Sequence, residues 1–347
     1  MFSAEEYKDI KKRDLDFAFE IEDIIHKSPD PDVRYKDSRP IMDLKHMLES
    51  SASDKWYGNN VAMYQKFQKK GNFESITYRE VLEMVNALGT ALIDLGLKDE
   101  RISVTGENCS QWAISYLAAV CGTGTVVPLD KELHMEDIEG LIIRANVKCV
   151  LFAKKHEKMY REIKERGNTN LEILINFNAE EDNDGVLSYK KLIEKGKKLI
   201  EEGDRRFLDA QIDAEKMAVL LFTSGTTGTP KGVMLSHKNI ITDLMVAPTY
   251  LKVHDWDVFF SVLPLHHTYA CTCDFLMPLY KGAAIAYCEG LKYILKNLQE
   301  VRPTMFLVVP AILELLNKNI WKNINSQGKA SLVRKIIKVN SFTKKLG

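Results

Sequence analysis

Ala218-Val219-Leu220-Leu221-Phe222-Thr223-Ser224-Gly225-Thr226-Thr227-Gly228-Thr229-Pro230-Lys231-Gly232 runs from an apolar strand straight into a loop of hydroxyls and glycines. Five apolar residues bounded by turn signals read as a buried strand. A polyphosphate needs many short donors and a backbone that can approach closely. Thr223, Ser224, Thr226, Thr227 and Thr229 offer hydroxyls, while Gly225, Gly228 and Gly232 expose backbone N–H groups. Lys231 adds a point charge that can reach a phosphate oxygen. Hydrogen bonds to charged groups contribute roughly 1.5–3 kcal/mol each, so three or four could hold a phosphate against its hydration. The commoner nucleotide loop needs Gly-Lys-Ser/Thr at its end. Here Pro230 precedes the lysine and Gly232 follows it, which excludes that loop. A flexible linker is excluded too, because it has no reason to follow an apolar strand or to contain Pro-Lys-Gly.

Outward from this stretch the pattern alternates. Strands are expected at 60–64, 75–78, 101–105, 125–129, 148–152, 217–222, 258–263, 284–287 and 305–309. Helices are expected at 43–51, 79–95, 111–121, 136–144, 238–246, 273–280 and 292–301, with one more from Ala311. Strands separated by helices of this length predict an α/β fold with a parallel sheet covered on both faces. Residues 1–40 read as an arm, 41–205 as a first α/β lobe and 206–347 as a second lobe carrying the phosphate loop. The acidic run 179–185 has no ligand periodicity and reads as a solvated connection rather than a cation site.

With 45% apolar and 28% charged residues in 347, the chain has the composition of a folded globular protein. Lys plus Arg equals Asp plus Glu at 48 each, so no global charge asks for nucleic acid as a partner. The acidic start is no secretory signal, and the six cysteines lack paired metal spacing; both predict a reduced, cytoplasmic protein. From 317 to 347 there are eight Lys or Arg residues and no acid. A basic amphipathic helix of that kind can touch a membrane surface; the competing reading is an ordinary solvated face.

Residues 222–239 resemble the signature of the AMP-forming acyl-CoA synthetase, adenylation-domain and luciferase superfamily. Eight prescribed residues would match a given window by chance with a probability of about 10⁻⁹. The resemblance extends from about Ile41 to Ile324 and includes Thr125-Val126-Val127-Pro128-Leu129-Asp130. Leu263-Pro264-Leu265-His266-His267 and Val308-Val309-Pro310-Ala311-Ile312-Leu313-Glu314-Leu315-Leu316 are most similar to long-chain fatty acyl-CoA ligases. It implies two stacked, mostly parallel sheets flanked by helices, the incomplete large N-terminal domain of an adenylate-forming enzyme.

The resemblance also implies a reaction in two halves. A fatty acid attacks Mg-ATP to give acyl-AMP and pyrophosphate, and CoA then displaces AMP. Thr223, Ser224, Gly225, Thr226, Thr227, Gly228, Thr229 and Lys231 would hold the β- and γ-phosphates. His267 falls on the family position beside the carboxylate pocket and His266 on a variable one. No acid follows until Asp274, which favours an acyl or aryl acid over an amino acid. The family's Tyr-Gly-X-Thr-Glu and Tyr-Arg-Thr-Gly-Asp segments and its C-terminal lid are not found before Gly347. The expectation is an N-terminal ligase fragment, inactive by itself; the alternative is a stand-alone, non-catalytic binding module. An open reading frame downstream of codon 347 that encodes the missing blocks supports the first, and a stop supports the second.

Overall fold

The computed structural model describes residues 38–68, 71–223 and 230–343. The chain enters through α1 (Leu44–Ser51), where Asp43 caps the first turn by accepting the His46 N–H at 2.8 Å. β1 (Val61–Gln65) pairs antiparallel with β2 (Glu74–Thr77). Thr77 then starts α2 (Tyr78–Asp94) with a reciprocal cap. Its hydroxyl accepts the Glu80 N–H, and the Glu80 carboxylate accepts the Thr77 N–H at 2.7 Å.

The larger sheet follows as β3 (Arg101–Thr105), α3 (Ser110–Ala118), β4 (Thr125–Pro128), α4 (Met135–Ala145), β5 (Cys149–Phe152) and α5 (Glu157–Glu165). It continues as β6 (Ile173–Asn176), β7 (Val186–Ser188), α6 (Tyr189–Glu201), β8 (Met217–Thr223) and β9 (Lys231–Ser236). Then come α7 (His237–Tyr250), β10 (Val258–Ser261) and a helical turn, α8 (Thr268–Ala270). A wider, π-type stretch over Cys271–Leu276 leads into α9 (Met277–Lys281). β11 (Ala284–Tyr287), α10 (Ile294–Val301), α11 (Pro310–Ser326) and α12 (Ala330–Thr343) complete the described chain.

The strands form a seven-stranded sheet in the order β7-β6-β5-β3-β4-β8-β9 and a four-stranded sheet in the order β10-β11-β1-β2. Both are parallel except at one edge, β9 in the first and β2 in the second. Each sheet draws strands from both sides of residue 205, so a division there does not follow the sheets. β8 joins the first sheet beside β4, with Val126 opposite Val219, because its Ala218–Leu221 run is buried and needs a central place. Where a strand at 305–309 is expected, only Met305 bridges to Phe259. This half-exposed segment then runs extended into Pro310, at the first turn of α11.

Close approach fixes the packing between elements. A Cβ on Gly196 of α6 would sit 1.8 Å from the Ala87 carbonyl of α2, and one on Gly89 would meet the Phe207 ring at 2.1 Å. Phe207 is fully buried in the segment that leaves α6 for β8. Lys45 of α1 anchors that segment: its Nζ donates to the carbonyls of Phe207, Leu208 and Ala210 at 3.1, 2.7 and 2.9 Å. These contacts tie the connection from α6 to β8, within the larger sheet, to the first helix.

Candidate nucleotide and carboxylate site

The antiparallel pairing of β8 with β9 places Thr223 opposite Lys231 and Phe222 opposite Gly232. The hydroxyl-rich loop therefore leaves and re-enters the sheet at one register pair, at the carboxyl end of β8. Ligands of open α/β sheets bind at such ends. Thr223 and Lys231 are exposed there; Ser224, Gly225, Thr226, Thr227, Gly228 and Thr229 lie outside the described residues. Both legs of the hairpin are held by Arg144, on the last turn of α4. Its Nη1 donates to the Pro230 carbonyl at 2.6 Å, and its guanidinium lies 5.6 Å from the centre of the Phe222 ring. Nothing in the sequence marks this arginine, since it stands 86 residues from Pro230.

The second part of the site follows β10. Asn108, in the connection from β3 to α3, donates its Nδ2 to Ser261 Oγ at 3.0 Å and to the Leu263 carbonyl at 2.7 Å. Its Oδ1 accepts the Leu265 N–H at 3.3 Å. His267 N–H donates to the Pro264 carbonyl at 3.2 Å, and the His267 carbonyl accepts the Cys271 N–H at 2.9 Å to open the helix. The sequence selects His267 for the pocket, yet the structure turns His266 inward and leaves His267 exposed. His266 lines a narrow cavity of about 20 Å³ with Tyr116, Pro128, Val219, Leu221 and Cys271. That volume has room for about one water. The two rings stand 4.1 Å apart.

His266 Nε2 makes no hydrogen bond and lies 3.6 Å from Asp130 Oδ2. Burial, with His267 beside it, lowers the His266 pKa to about 4 against the opposing pull of Asp130. The ring is therefore neutral near pH 7. Asp274, the first acid after the turn, is fully buried under it rather than open to a substrate. Burial pushes that carboxyl up to about 7; the nearby Ser261 hydroxyl and Val262 N–H favour its charged form without completing a hydrogen bond. Among the described residues no group of three His, Cys, Asp or Glu could hold a metal.

The fold and the hairpin define an α/β protein with a Ser/Thr/Gly-rich loop sequence between the two strands of an edge β-hairpin of a mostly parallel sheet. Residues 51–340 match the family described as AMP-binding enzyme, and the chain belongs to that family. It is 28% identical over 350 residues to long chain acyl-CoA synthetase 2 of Arabidopsis thaliana, covering 93% of this chain and 51% of that protein. It is 30% identical over 274 residues to the human long-chain-fatty-acid–CoA ligase ACSBG2, covering 77% of this chain and 41% of that one. A crystallised long-chain-fatty-acid–CoA ligase (FadD1) of Archaeoglobus fulgidus superposes with a TM-score of 0.68 at 18% identity, covering 80% of this chain and 53% of that one. That superposition shows the shared fold. The chain spans about half the length, or less, of the curated relatives it matches.

Proposed function

We propose that this chain is the phosphate- and carboxylate-gripping part of an AMP-forming acid–thiol ligase that acts on a fatty acid. The single observation that carries the reading is the Thr223–Lys231 register pair, with a Ser/Thr/Gly loop strung between its two members. Thr223, Ser224, Gly225, Thr226, Thr227, Gly228, Thr229 and Lys231 hold the β- and γ-phosphates of ATP and stabilise the departing pyrophosphate. Mg²⁺ arrives with ATP as part of the substrate. His267 orients the acid's carboxylate, while neutral His266 and apolar walls limit the adjoining cavity to about one water. CoA is the acceptor of the acyl group, with no residue of this chain assigned to its thiol. The chain by itself does not complete adenylation.

Pyrophosphate exchange with ATP and fatty acids of graded length tests this reading. The chain alone is expected to give no exchange above a Lys231→Ala control; clear exchange above that control refutes the need for further sequence. MgATP or pyrophosphate is expected to bind weakly, and more weakly still to Lys231→Ala. Equal affinities would remove the lysine from the grip.

Contact with an anionic membrane is part of the same proposal. Leu332, Ile336 and Ile337 of α12 are exposed beside Arg334 and Lys335. No helix among the described residues is long and apolar enough to cross a membrane. Co-sedimentation with phosphatidylserine vesicles, lost in 0.5 M salt by about the amount screening dictates, is the expected result. A cytoplasmic setting fits the free thiols of all six cysteines.

A further inference from the structure

Asn108 belongs to the larger sheet by chain position, but its side chain serves the smaller one. It bonds Ser261 Oγ at the end of β10, the Leu263 carbonyl and the Leu265 N–H. The last two lie beyond β10, where the strand ladder no longer supplies partners. A primary amide can donate and accept at the same time, which a hydroxyl-free or purely anionic side chain of that size cannot do. The downstream end of the turn is fixed separately, by the Cys271 N–H bonding the His267 carbonyl. Between these two anchors Leu265 is buried, His266 lines the cavity and His267 faces solvent.

We propose that Asn108 is a positioning residue, which clamps the Leu263–His267 turn across the two sheets and so keeps His266 inward and His267 outward. The inference rests on reading this turn as the carboxylate end of the site. Without the clamp, the Leu263 carbonyl and Leu265 N–H would seek water, and the turn would peel away from the cavity. The charged and titratable groups that face His266 are His267, Asp130 and Lys131. None of them sits on the segment that carries Asn108, whose neighbour Glu107 lies 3.7 Å from Lys131; replacing Asn108 alters none of these charged groups themselves.

The test is a side-chain ¹⁵N NMR titration of the histidines from pH 8 to pH 5. In the unaltered protein His266 is expected to stay neutral to pH 5, as is His237, which is buried on α7 with a pKa also lowered to about 4. In Asn108→Ala the His266 midpoint is expected to rise by about 1.5 units or more, into the window above pH 5 and toward the ordinary value of about 6.5, while His237 stays neutral and reports an intact fold. A His266 that stays neutral to pH 5 in that variant overturns the proposal. Should Asn108→Ala fail to fold, Asn108→Ser is used, with a smaller rise in the same direction expected and no rise overturning the clamp. Adding a medium-chain fatty acid to the unaltered protein separates the two ideas. If neither His266 nor His267 responds, the carboxylate-site reading fails while the clamp stands on the titration.

Discussion

Lowering the pH from 7.5 to 4.5 should weaken this fold through His237, by an amount that the structure allows to be worked out. The His237 ring is 3% exposed, and its Nδ1 accepts the Leu44 N–H at 3.2 Å. The other side of the ring engages the Val120 carbonyl, a bond that favours the charged form but is outweighed by burial. Only the neutral imidazole can accept at one nitrogen and donate at the other. Burial accordingly lowers the pKa to about 4, from 6.5 in the unfolded chain. The folded pKa is depressed, so the unfolded state binds the proton first as the pH falls. Stability is complete above about pH 6.5 and is lost progressively as the pH falls toward 4. By pH 4.5 the loss from this residue is about 2–3 kcal/mol.

His266 titrates in a similar window, so the effect must be isolated by difference. His237→Gln keeps an acceptor for Leu44 but no titrating ring. It should cost about 1–3 kcal/mol at pH 7.5 through its imperfect hydrogen bonds. Urea unfolding of both proteins between pH 7.5 and 4.5, followed by tryptophan fluorescence, reads the difference. The gap between them should close, or reverse, by about 2–3 kcal/mol on acidification. Parallel curves would refute the claim that His237 is held neutral in the fold.

Two further perturbations test the packing and the buried acid. Gly196→Ala would drive a methyl to within 1.8 Å of the Ala87 carbonyl, so α2 and α6 must separate. A thermal unfolding scan should show destabilisation of about 3 kcal/mol or more, and a change under about 0.5 kcal/mol would mean that the helices are not so closely engaged. Asp274→Asn tests the opposite pH sign. A carboxyl whose folded pKa is raised to about 7 destabilises the fold progressively as the pH rises from about 4 through 7. The amide variant should therefore gain thermal stability relative to the parent at pH 8 but not at pH 4.5. A gain that is the same at both values would rule out ionisation of Asp274 as its cause.

Much of the fold was legible because its signals are local. Arg101–Thr105 and Ala284–Tyr287 coincide with the expected strands, and the long helix after β2 begins where Thr77 and Glu80 close a capping box. β9 was missed because it is a half-exposed edge strand, with no residue along it buried and no buried stripe to betray it. β7 is only three residues and follows the acidic run 179–185, whereas β6, four residues, carries the apolar run Ile173-Leu174-Ile175, a signal too short to tell strand from helix by periodicity. The strand expected at 305–309 has the right composition but finds only one bridging partner, at Met305. Composition can nominate a strand; a neighbour with free backbone groups is what makes one.

By itself the sequence determined the family, the strand–loop–strand chemistry from Ala218 to Gly232, and the alternation that demands a parallel sheet. Each of these is written in neighbouring residues, and spacing along the chain suffices to read it. Only the tertiary structure decided that β8 lies beside β4, that Arg144 braces Phe222 and Pro230 on the two legs of the β8–β9 hairpin, and that Asn108 reaches the histidine turn. It also decided that His266 faces the cavity and His267 the solvent. The family resemblance ranks His267 first, but nothing in two adjacent identical residues says which side chain turns inward. Their order is set by hydrogen bonds from residues about 150 positions away, which exist only once both sheets have formed.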